Sequence, residues 1–357
     1  MSDSQKMGID HNGLQIGPNH PVFIIAEAGI NHEGDLDVAM ELVDAAAETG
    51  ADAVKFQTFV TELVITPRTP KANYHIETTG DDSVESWFEL IKREELPLED
   101  FAKIKKRCDE KGIIFLSTPY DMPSVDTLAA IGAPAIKVAS TDTNNLPLLR
   151  HIARTGLPII LSTGMSDMDE LTESIRALRD AGCTDLAMMQ CTAEYPAPMD
   201  EINLRAMNTI GETFEVATGY SDHTEGEAAA IAAVALGACV YEKHFTINKT
   251  AAGPDHRASM EPSELKDLVA KMRNTERLLG DGQKRIMPCE AKNKPILQKS
   301  IVAARDLPAG TVLVESDLLT KRTGGVGLSP LAFDATIGRT LSTALVADEP
   351  LEESALA

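Results

Sequence analysis

Two histidines stand at the ends of two successive predicted strands, where their side chains could do chemistry together. The stretch GYSDHT, residues 219–224, ends one strand, and the stretch EKHF, residues 242–245, ends the next. Neutral imidazoles delivered from neighbouring strand ends can hold one divalent ion while leaving other positions open. His223 and His244 are therefore predicted metal ligands. A lone histidine at a strand end would more often be an ordinary hydrogen-bonded residue.

The elements that position these histidines repeat along the chain. Apolar runs alternate with helical patterns, as at Asp35 to Thr49, where Asp35 is the predicted cap and Gly50 ends the helix. Eight such units predict an α/β fold of the (β/α)8 TIM barrel type. The apolar runs are Val22–Ala26, Ala53–Thr58, Ile113–Thr118, Ala135–Ala139, Pro158–Ser162, Leu186–Cys191, Glu215–Tyr220 and Cys239–Phe245.

Polar residues collect where these predicted strands end. In a barrel enzyme the carboxyl ends of the strands meet at one mouth, so such residues are brought together. Each one alone would be explained as a cap or turn residue, most readily Thr118 and Ser162. Besides the two histidines, the strand ends supply Glu27, Lys55, Gln57, Thr118, Lys137, Ser140, Ser162, Tyr195 and Ser221.

The residue types at the mouth indicate a reaction class. Lys55 and Lys137, with the hydroxyls around them, suit a small anion that carries both carboxylate and phosphate. A metal at the histidine pair would act as a Lewis acid toward a carbonyl, and Glu27 is a candidate for proton transfer or for binding a sugar hydroxyl. We therefore expect an aldol-type condensation of an enol phosphate with an aldehyde. A Schiff-base pyruvate aldolase that uses Lys137 is the alternative.

Composition restricts the partners and the compartment. The formal net charge of −22 argues against nucleic acid and anionic membranes as partners. No apolar run is long enough to span a bilayer, and the polar first twenty residues lack a signal core. Five scattered cysteines suit a reducing compartment, so we expect a cytoplasmic protein.

Composition also predicts the domain organisation. We expect a catalytic barrel over 1–285, a polar linker over 286–295 and a small mostly-β module over 296–357, with strands at 299–305 and 311–314 and an irregular loop at 320–330. A hairpin is predicted at 9–17, with Asn12-Gly13 at its turn. The insertion at 60–95 is predicted to be a loop with one short helix.

Several of these stretches resemble the sialic acid synthase family, and the likeness spans nearly the whole chain. The C-terminal module likewise resembles the antifreeze-like (SAF) domain that these enzymes carry. The matching stretches are FIIAEAGINHEG at 23–34, KFQT at 55–58, LSTGM at 161–165, SDHT at 221–224, EKHF at 242–245 and GPD at 253–255.

The resemblance implies a condensation of phosphoenolpyruvate with an N-acylated hexosamine, which releases phosphate and leaves a nine-carbon 2-keto acid. It implies a homodimer with exchanged SAF domains, in which Arg322 reaches the N-acyl group of the sugar in the other subunit. His223 and His244 match manganese ligands, with Mg²⁺ or Co²⁺ as other candidates. Lys55, Thr118, Lys137, Ser140, Ser162 and Ser221 match residues around phosphoenolpyruvate, and Glu27, Gln57, Tyr195 and Asp255 match residues around the sugar, Glu27 being also the candidate acid or base.

Departures from the family pattern bear on the sugar. Ala193 stands where N-acetylneuraminate synthases usually have an asparagine, Asp142 where many have glutamate, and Thr323 replaces a common proline. The segment CTAEYPAP at 191–198 favours the bacterial branch that makes legionaminic acid, with 2,4-diacetamido-2,4,6-trideoxymannose as acceptor instead of N-acetylmannosamine. A sugar-binding homologue that has lost activity is disfavoured, because both histidines, both lysines and Glu27 are present.

Overall fold

The computed structural model describes residues 7–8, 15–18, 20–81, 83, 85–251 and 253–357. Strands β1 (Met7–Gly8) and β2 (Gln15–Ile16) pair antiparallel, with Met7 opposite Ile16. The predicted turn at Asn12-Gly13 lies outside the described residues, as does most of the predicted hairpin at 9–17. Ile16 is fully buried in the core inside the barrel.

Eight parallel strands follow and form one sheet. The strands are β3 (Phe23–Gly29), β4 (Ala53–Thr58), β5 (Ile114–Pro119), β6 (Ile136–Val138), β7 (Ile159–Ser162), β8 (Leu186–Cys191), β9 (Ala217–Asp222) and β10 (Val240–His244). The hydrogen-bonded order is β5-β4-β3-β10-β9-β8-β7-β6, so the last strand of the series pairs with the first. This arrangement confirms the predicted TIM barrel.

Helices cover the outside of the sheet. The first forms as the sequence predicts: the Asp35 side chain accepts hydrogen bonds from the first-turn amides of Asp37 and Val38, and Gly50 ends the helix at φ +83°. The helices of the first 280 residues are α1 (Leu36–Thr49), α2 (Thr61–Val64), α3 (Asn73–Thr79), α4 (Trp87–Glu94), α5 (Asp100–Lys111), α6 (Met122–Ala130), α7 (Leu146–Arg154), α8 (Met168–Asp180), α9 (Ala206–Phe214), α10 (Ala228–Ala235) and α11 (Pro262–Leu279). Among the described residues, no helix is both long and apolar enough to cross a membrane.

The insertion at 60–95 is more helical than predicted. It contains α2, α3 and α4 where the sequence predicts a loop with one short helix, so that prediction is wrong. A capping box begins α4, since Ser86 and Glu89 each bond the other's backbone amide. Thr61 donates hydrogen bonds to Glu95 through its amide (2.8 Å) and its hydroxyl (2.6 Å), which ties α2 to the end of α4.

Successive side chains along each strand point alternately outward and inward, and this divides the core into two layers. Ile24 and Val54 pack outward against the helices, while Phe23, Ile25 and Leu116 fill the inside of the barrel. A strand turns successive side chains to opposite faces, so residues two positions beyond the inward ones also point inward. The inward-facing residues at the carboxyl ends of the strands therefore lie at the mouth of the barrel, and many of them are polar.

The chain divides into two compact units, residues 1–280 and 281–357. The stretch predicted to be a linker, 286–295, contains α12 (Pro288–Ala291) and the start of α13 (Lys294–Leu297). In the second unit β11 (Lys299–Ala303) pairs antiparallel with β12 (Leu318–Arg322), and α14 (Phe333–Thr336) follows. Its core contains Ile301, Leu313, Leu318, Leu341 and Leu351.

Two predictions for the C-terminal module are wrong. Residues 311–314 do not form a strand and contribute only an isolated bridge between Val312 and Thr340. The partner of β11 is instead β12, which begins in a stretch predicted as part of a β module and ends inside the predicted irregular loop. The alternation is weak in LLTKR, where Leu318 is buried and Leu319 is 46% exposed, so the sequence gives little signal for this strand.

Candidate active site

The inward face of the barrel ends in polar side chains at the carboxyl ends of its strands. Phe23 and Ile25 lead by twos to Glu27, Ala53 leads to Lys55, and Ala135 leads to Lys137. A cavity of about 630 Å³ opens at this mouth. It is lined by every predicted site residue of the first unit: Glu27, Lys55, Gln57, Thr118, Lys137, Ser140, Ser162, Tyr195, Ser221, His223, His244 and Asp255.

Four buried ionisable groups form the floor of the cavity. Lys55 Nζ lies 2.7 Å from Glu27 Oε2 and 3.9 Å from Glu242 Oε2. Lys137 Nζ lies 3.6 Å from Glu242 Oε1. Glu242 therefore lies between the two lysines, and the four charges cancel when all of these groups are ionised.

Hydroxyl groups complete the floor. Lys55 Nζ donates to Thr118 Oγ1 (2.8 Å), and Lys137 Nζ donates to Ser162 Oγ (2.6 Å). Ser221 Oγ donates to Glu242 Oε1 (3.2 Å). These contacts hold both ammonium groups in place before any substrate binds, which lowers the entropy lost on binding.

Burial shifts the titration of this floor. Burial raises the pKa of Glu27 to about 7, although the nearby Lys55 ammonium opposes the shift. Burial lowers the pKa of Lys137, although Glu242 opposes that shift. Burial alone would raise the pKa of Glu242, but the positive charges of Lys137 and Lys55 outweigh burial and lower it. Glu27 is thus the floor carboxyl able to hold a proton near neutral pH.

The two predicted metal-binding histidines lie side by side. Their ring centroids are 5.4 Å apart. The backbone carbonyl of Thr192 lies 2.7 Å from His223 Nδ1, which makes that nitrogen the donor and leaves Nε2 as the acceptor. His244 Nδ1 is buried without a hydrogen-bond partner among the described residues, and it lies 3.7 Å from Asp255 Oδ2.

These residues fit a metal ion as a pair of nitrogen donors once both rings are unprotonated. For His223 burial lowers the pKa, but the neighbouring Cys191 thiol and the Thr192 carbonyl outweigh burial and raise it, so that ring must lose a proton to bind a metal. Burial holds the pKa of His244 well below its usual range, so the ring is unprotonated at neutral pH. In the described part of the chain, no group of three or more His, Cys, Asp or Glu residues is arranged to hold a metal. The pair alone would leave most coordination positions for substrate and water.

The predicted sugar-binding residues lie beside the floor. Gln57 Nε2 donates to Glu27 Oε1 at 3.4 Å. The ring centroids of Tyr195 and His223 are 4.0 Å apart. Burial raises the pKa of Asp255 to about 6. Arg322 belongs to the second unit, where it ends β12 in an exposed position and its Nε donates to the Leu297 carbonyl (3.1 Å).

Glu242 was not among the predicted site residues, although it contacts both lysines. The signal was present: Glu242 precedes His244 by two positions on β10, so the two side chains share the inward face. Cys191 was also missed, and its Sγ lies 3.8 Å from His223 Nδ1. No spacing in the sequence predicts that contact, because it depends on how β8 and β9 pair.

Together, a parallel barrel and a cavity of paired lysines, carboxylates and histidines at its carboxyl mouth define a TIM-barrel enzyme. The model of the NeuB family matches residues 42–284, and that of the SAF domain matches residues 298–357. The chain belongs to the NeuB family. This finding confirms the resemblance drawn from the sequence, including its C-terminal module.

Relatives match over nearly their full length. The N,N'-diacetyllegionaminic acid synthase of Campylobacter jejuni is 42% identical over 93% of this chain and 99% of the relative. The protein of the same name from Legionella pneumophila is 40% identical over 95% and 96% of the two chains. The crystal structure of N-acetylneuraminic acid (sialic acid) synthetase from Leptospira borgpetersenii superimposes with a TM-score of 0.70 at 33% identity, covering 81% of this chain and 96% of that one.

Proposed function

We propose that this protein condenses phosphoenolpyruvate with an N-acylated amino sugar and consumes one water, giving a nine-carbon 2-keto acid and phosphate. The observation that carries the proposal is the floor of the cavity, where two buried lysines, their hydroxyl partners and a histidine pair converge. The names of the relatives support a synthase of sialic-type acids.

In this proposal the lysine floor binds phosphoenolpyruvate. Lys55 and Lys137 receive its anionic groups, while Thr118 and Ser162 fix the ammonium groups. Ser140 lines the same cavity and its Oγ accepts a hydrogen bond from the Gly164 amide (2.9 Å), so we propose that its hydroxyl turns from the neighbouring Cys191 thiol to donate to a phosphate oxygen. This arrangement would orient the enol so that its C3 faces the acceptor aldehyde.

Charge balance supports a divalent cation at the histidine pair. The ionised floor is neutral overall, so it cannot by itself compensate a phosphate ester that also carries a carboxylate. His223 and His244 would hold the ion, with Mn²⁺ proposed first and Mg²⁺ or Co²⁺ as alternatives. When bound there, the ion would supply Lewis-acid polarisation of the aldehyde oxygen.

Glu27 is proposed to act as the general acid or base that transfers a proton to or from the acceptor sugar. Its pKa of about 7 suits a group that gives and takes a proton near neutral pH. Gln57 orients the Glu27 carboxyl through Oε1, and Lys55 holds it through Oε2. Tyr195 lies against His223 and Asp255 lies 3.7 Å from His244 Nδ1, so both are next to the histidine pair, and we propose that they bind sugar hydroxyls.

For the sugar we propose 2,4-diacetamido-2,4,6-trideoxymannose, as in N,N'-diacetyllegionaminate synthases. Two full-length relatives at 42% and 40% identity carry that name. Ala193 lines the cavity, so a polar side chain expected there in N-acetylneuraminate synthases is absent. N-acetylmannosamine is the alternative acceptor.

The test is phosphate release from phosphoenolpyruvate with each of the two sugars, in Mn²⁺ and in chelator. We expect turnover with the diacetamido sugar that chelation abolishes and that His244→Ala loses. His151→Ala is the control, because that ring is paired with Asp126 through Nε2 (2.7 Å) and does not line the cavity. Metal-independent turnover would refute the metal proposal, and silence with both sugars would refute the reaction.

One observation keeps the Schiff-base aldolase as a second candidate. Burial lowers the pKa of Lys137, which favours the neutral, nucleophilic amine. Against it, Lys137 Nζ already donates to Ser162 and lies near the Glu242 carboxylate, which favours the ammonium. Borohydride reduction with pyruvate distinguishes the two, because only the aldolase would leave a covalent adduct on Lys137.

We also propose a homodimer in which Arg322 of one chain serves the sugar site of the other. The exposed guanidinium, held at Nε by the Leu297 carbonyl, leaves terminal donors for an acyl oxygen. Arg322→Ala should raise the Michaelis constant for the sugar and leave that for phosphoenolpyruvate unchanged. Sedimentation should show a dimer. Arg285→Ala is the matched control, because Arg285 pairs with Asp281 four residues away on the surface of the same unit.

A further inference from the structure

The cavity has a second part that the proposed chemistry does not use. Beyond the polar floor, the segment that follows β4 contributes a wall in which apolar side chains outnumber the polar Thr66, Thr69 and His75. We call this the apolar wall; it consists of Phe59, Leu63, Val64, Trp87 and Ile91. Leu63 is 58% exposed and Val64 is 41% exposed, so this wall has apolar surface that a ligand could cover.

The apolar wall is held in place without a ligand. Thr61 is bonded to Glu95 at the far end of α4, so the segment with Leu63 is tied to the helix with Trp87. Phe59 packs edge-on against Tyr120 at 6.3 Å, and Trp87 against His75 at 5.1 Å. A preformed apolar surface of this kind favours an apolar ligand group at little ordering cost.

The wall is also uncharged. In the described part of the chain, the Lys and Arg side chains that line the cavity are Lys55 and Lys137, and both lie on the floor among carboxylates. His75 lines the wall, but burial lowers its pKa to about 4, so the ring is neutral near pH 7. A phosphate placed against this wall would contact no Lys or Arg side chain among the described lining residues. The Lys71 ammonium acts on the His75 ring electrostatically but donates to the Gly80 carbonyl (3.0 Å) and does not line the cavity.

We propose that the apolar wall selects the acceptor by the end of the sugar that does not react. It accepts a methyl or acyl group and rejects a hydroxymethyl or phosphorylated carbon. The inference rests on the proposed function for the reaction, and it adds the residues that would determine specificity. The phosphate of phosphoenolpyruvate occupies the lysine floor, so the wall is left for the acceptor.

The first test measures sugar binding without turnover. Trp87 is the only tryptophan of the chain and belongs to the wall, so its fluorescence reports occupancy directly. Titrations would use 2,4-diacetamido-2,4,6-trideoxymannose, N-acetylmannosamine and N-acetylmannosamine 6-phosphate, with phosphoenolpyruvate and chelator present. We expect the deoxy sugar to bind on the order of 10-fold more tightly than N-acetylmannosamine, and the phosphorylated sugar to bind most weakly.

Substitutions assign the selectivity to the wall. Leu63→Ser and Val64→Ser should each reduce the preference for the deoxy sugar by about 3-fold, because the two side chains share the expected discrimination of about 10-fold. Leu63→Lys should improve binding of the phosphorylated sugar. Leu278→Ser is the matched control, since Leu278 is 84% exposed on α11 and does not line the cavity.

The outcomes separate this inference from the proposed reaction. Selective binding that the wall variants abolish supports the inference even if no phosphate is released in the turnover assay. Unchanged selectivity in Leu63→Ser and Val64→Ser overturns it, as does tightest binding of the phosphorylated sugar or no binding of any sugar. Altered oligomeric state with unchanged selectivity would assign the wall to contact between copies of the chain and would also overturn it.

Discussion

Lys55 Nζ and Glu27 Oε2 lie 2.7 Å apart on register partners of the adjacent strands β4 and β3. Neither side chain is more than 3% exposed, so the ion pair is shielded from water on all sides except the cavity. In such surroundings the pair is weak evidence for stability, because removing two charges from water offsets much of their attraction. Its position at the floor of the cavity favours a role in binding and proton transfer.

Glu27→Gln should therefore impair turnover more than folding. The amide keeps the shape of the side chain and a contact to Gln57, but it cannot take up or release the proton. We expect kcat to fall by a factor of about 100 or more in the phosphate-release assay. The exposed Glu41→Gln on α1 is the control, and wild-type turnover in Glu27→Gln would remove this carboxyl from the proposed mechanism.

Glu242→Gln, unlike Glu27→Gln, should improve the binding of a substrate, phosphoenolpyruvate. With Glu242 neutral, the floor gains one net positive charge, so the Michaelis constant for phosphoenolpyruvate should fall several-fold. The unfolding free energy should drop by about 3 kcal/mol, because two buried lysines lose their shared counter-charge. Urea denaturation and steady-state kinetics measure the two effects, with the exposed Glu212→Gln on α9 as control. Equal affinity in both proteins would show that Glu242 does not set the potential of the floor.

Much of this site could be predicted because a parallel barrel converts position in sequence into position in space. Each predicted strand in register with its neighbour delivers its last inward residue to the same mouth, which is why Lys55, Lys137 and His244 meet. Glu242 carries the same signal, because it lies two residues before His244 on the inward face of β10, but the prediction from EKHF includes only the histidine. The helices of the 60–95 insertion were missed because they are short, and their packing, not their periodicity, stabilises them.

Other features depend on contacts between distant segments. The tautomer of His223 is set by the carbonyl of Thr192, 31 residues earlier, and neither residue type predicts that bond. The pairing of β11 with β12 likewise joins segments whose own alternation is weak, so tertiary packing decides it. The apolar wall was not predicted, since the insertion's apolar residues show no regular spacing.

Glu94 provides a pH-dependent test of the fold at the edge of the insertion. Its carboxyl is fully buried, and burial raises its pKa to about 7. Arg93 Nη1 lies 2.9 Å from Oε1 and opposes the shift, while Glu33, Glu85 and Asp255 add to it. A raised pKa means that the folded state holds the proton more tightly than the unfolded chain. The resulting stabilisation is complete below about pH 4.5 and is lost as the pH rises through about 7.

Glu94→Gln should remove this loss, because the amide stays neutral at every pH. Relative to the wild type, the variant should gain about 2 kcal/mol of unfolding free energy between pH 5.5 and pH 8.5. Chemical denaturation at the two pH values measures the difference, with the exposed Glu48→Gln on α1 as control. A parallel pH dependence in Glu94→Gln and wild type would show that Glu94 ionises as freely in the folded protein as in the unfolded chain.

Tyr220 on β9 and Tyr241 on β10 both have buried hydroxyls, but the two hydroxyls differ in their hydrogen bonds. Tyr241 donates to Asp222 Oδ2 (2.6 Å), while Oδ1 of the same carboxylate accepts from the amide and the hydroxyl of Thr224, both at 2.8 Å. Asp222 thus fixes the turn that carries His223 between them. The Tyr220 hydroxyl, in contrast, is buried without a hydrogen-bond partner among the described residues.

Tyr241→Phe should lower the unfolding free energy by about 2 kcal/mol, because it removes a hydrogen bond to a buried charge. It should also weaken Mn²⁺ binding in calorimetry several-fold if His223 is a ligand, since the turn loses one of its supports. Tyr220→Phe deletes the same atom where no bond is lost, so its stability should stay equal or rise. Equal destabilisation by both substitutions would mean that the hydroxyls act through volume alone, and that Asp222 holds the His223 turn without help from Tyr241.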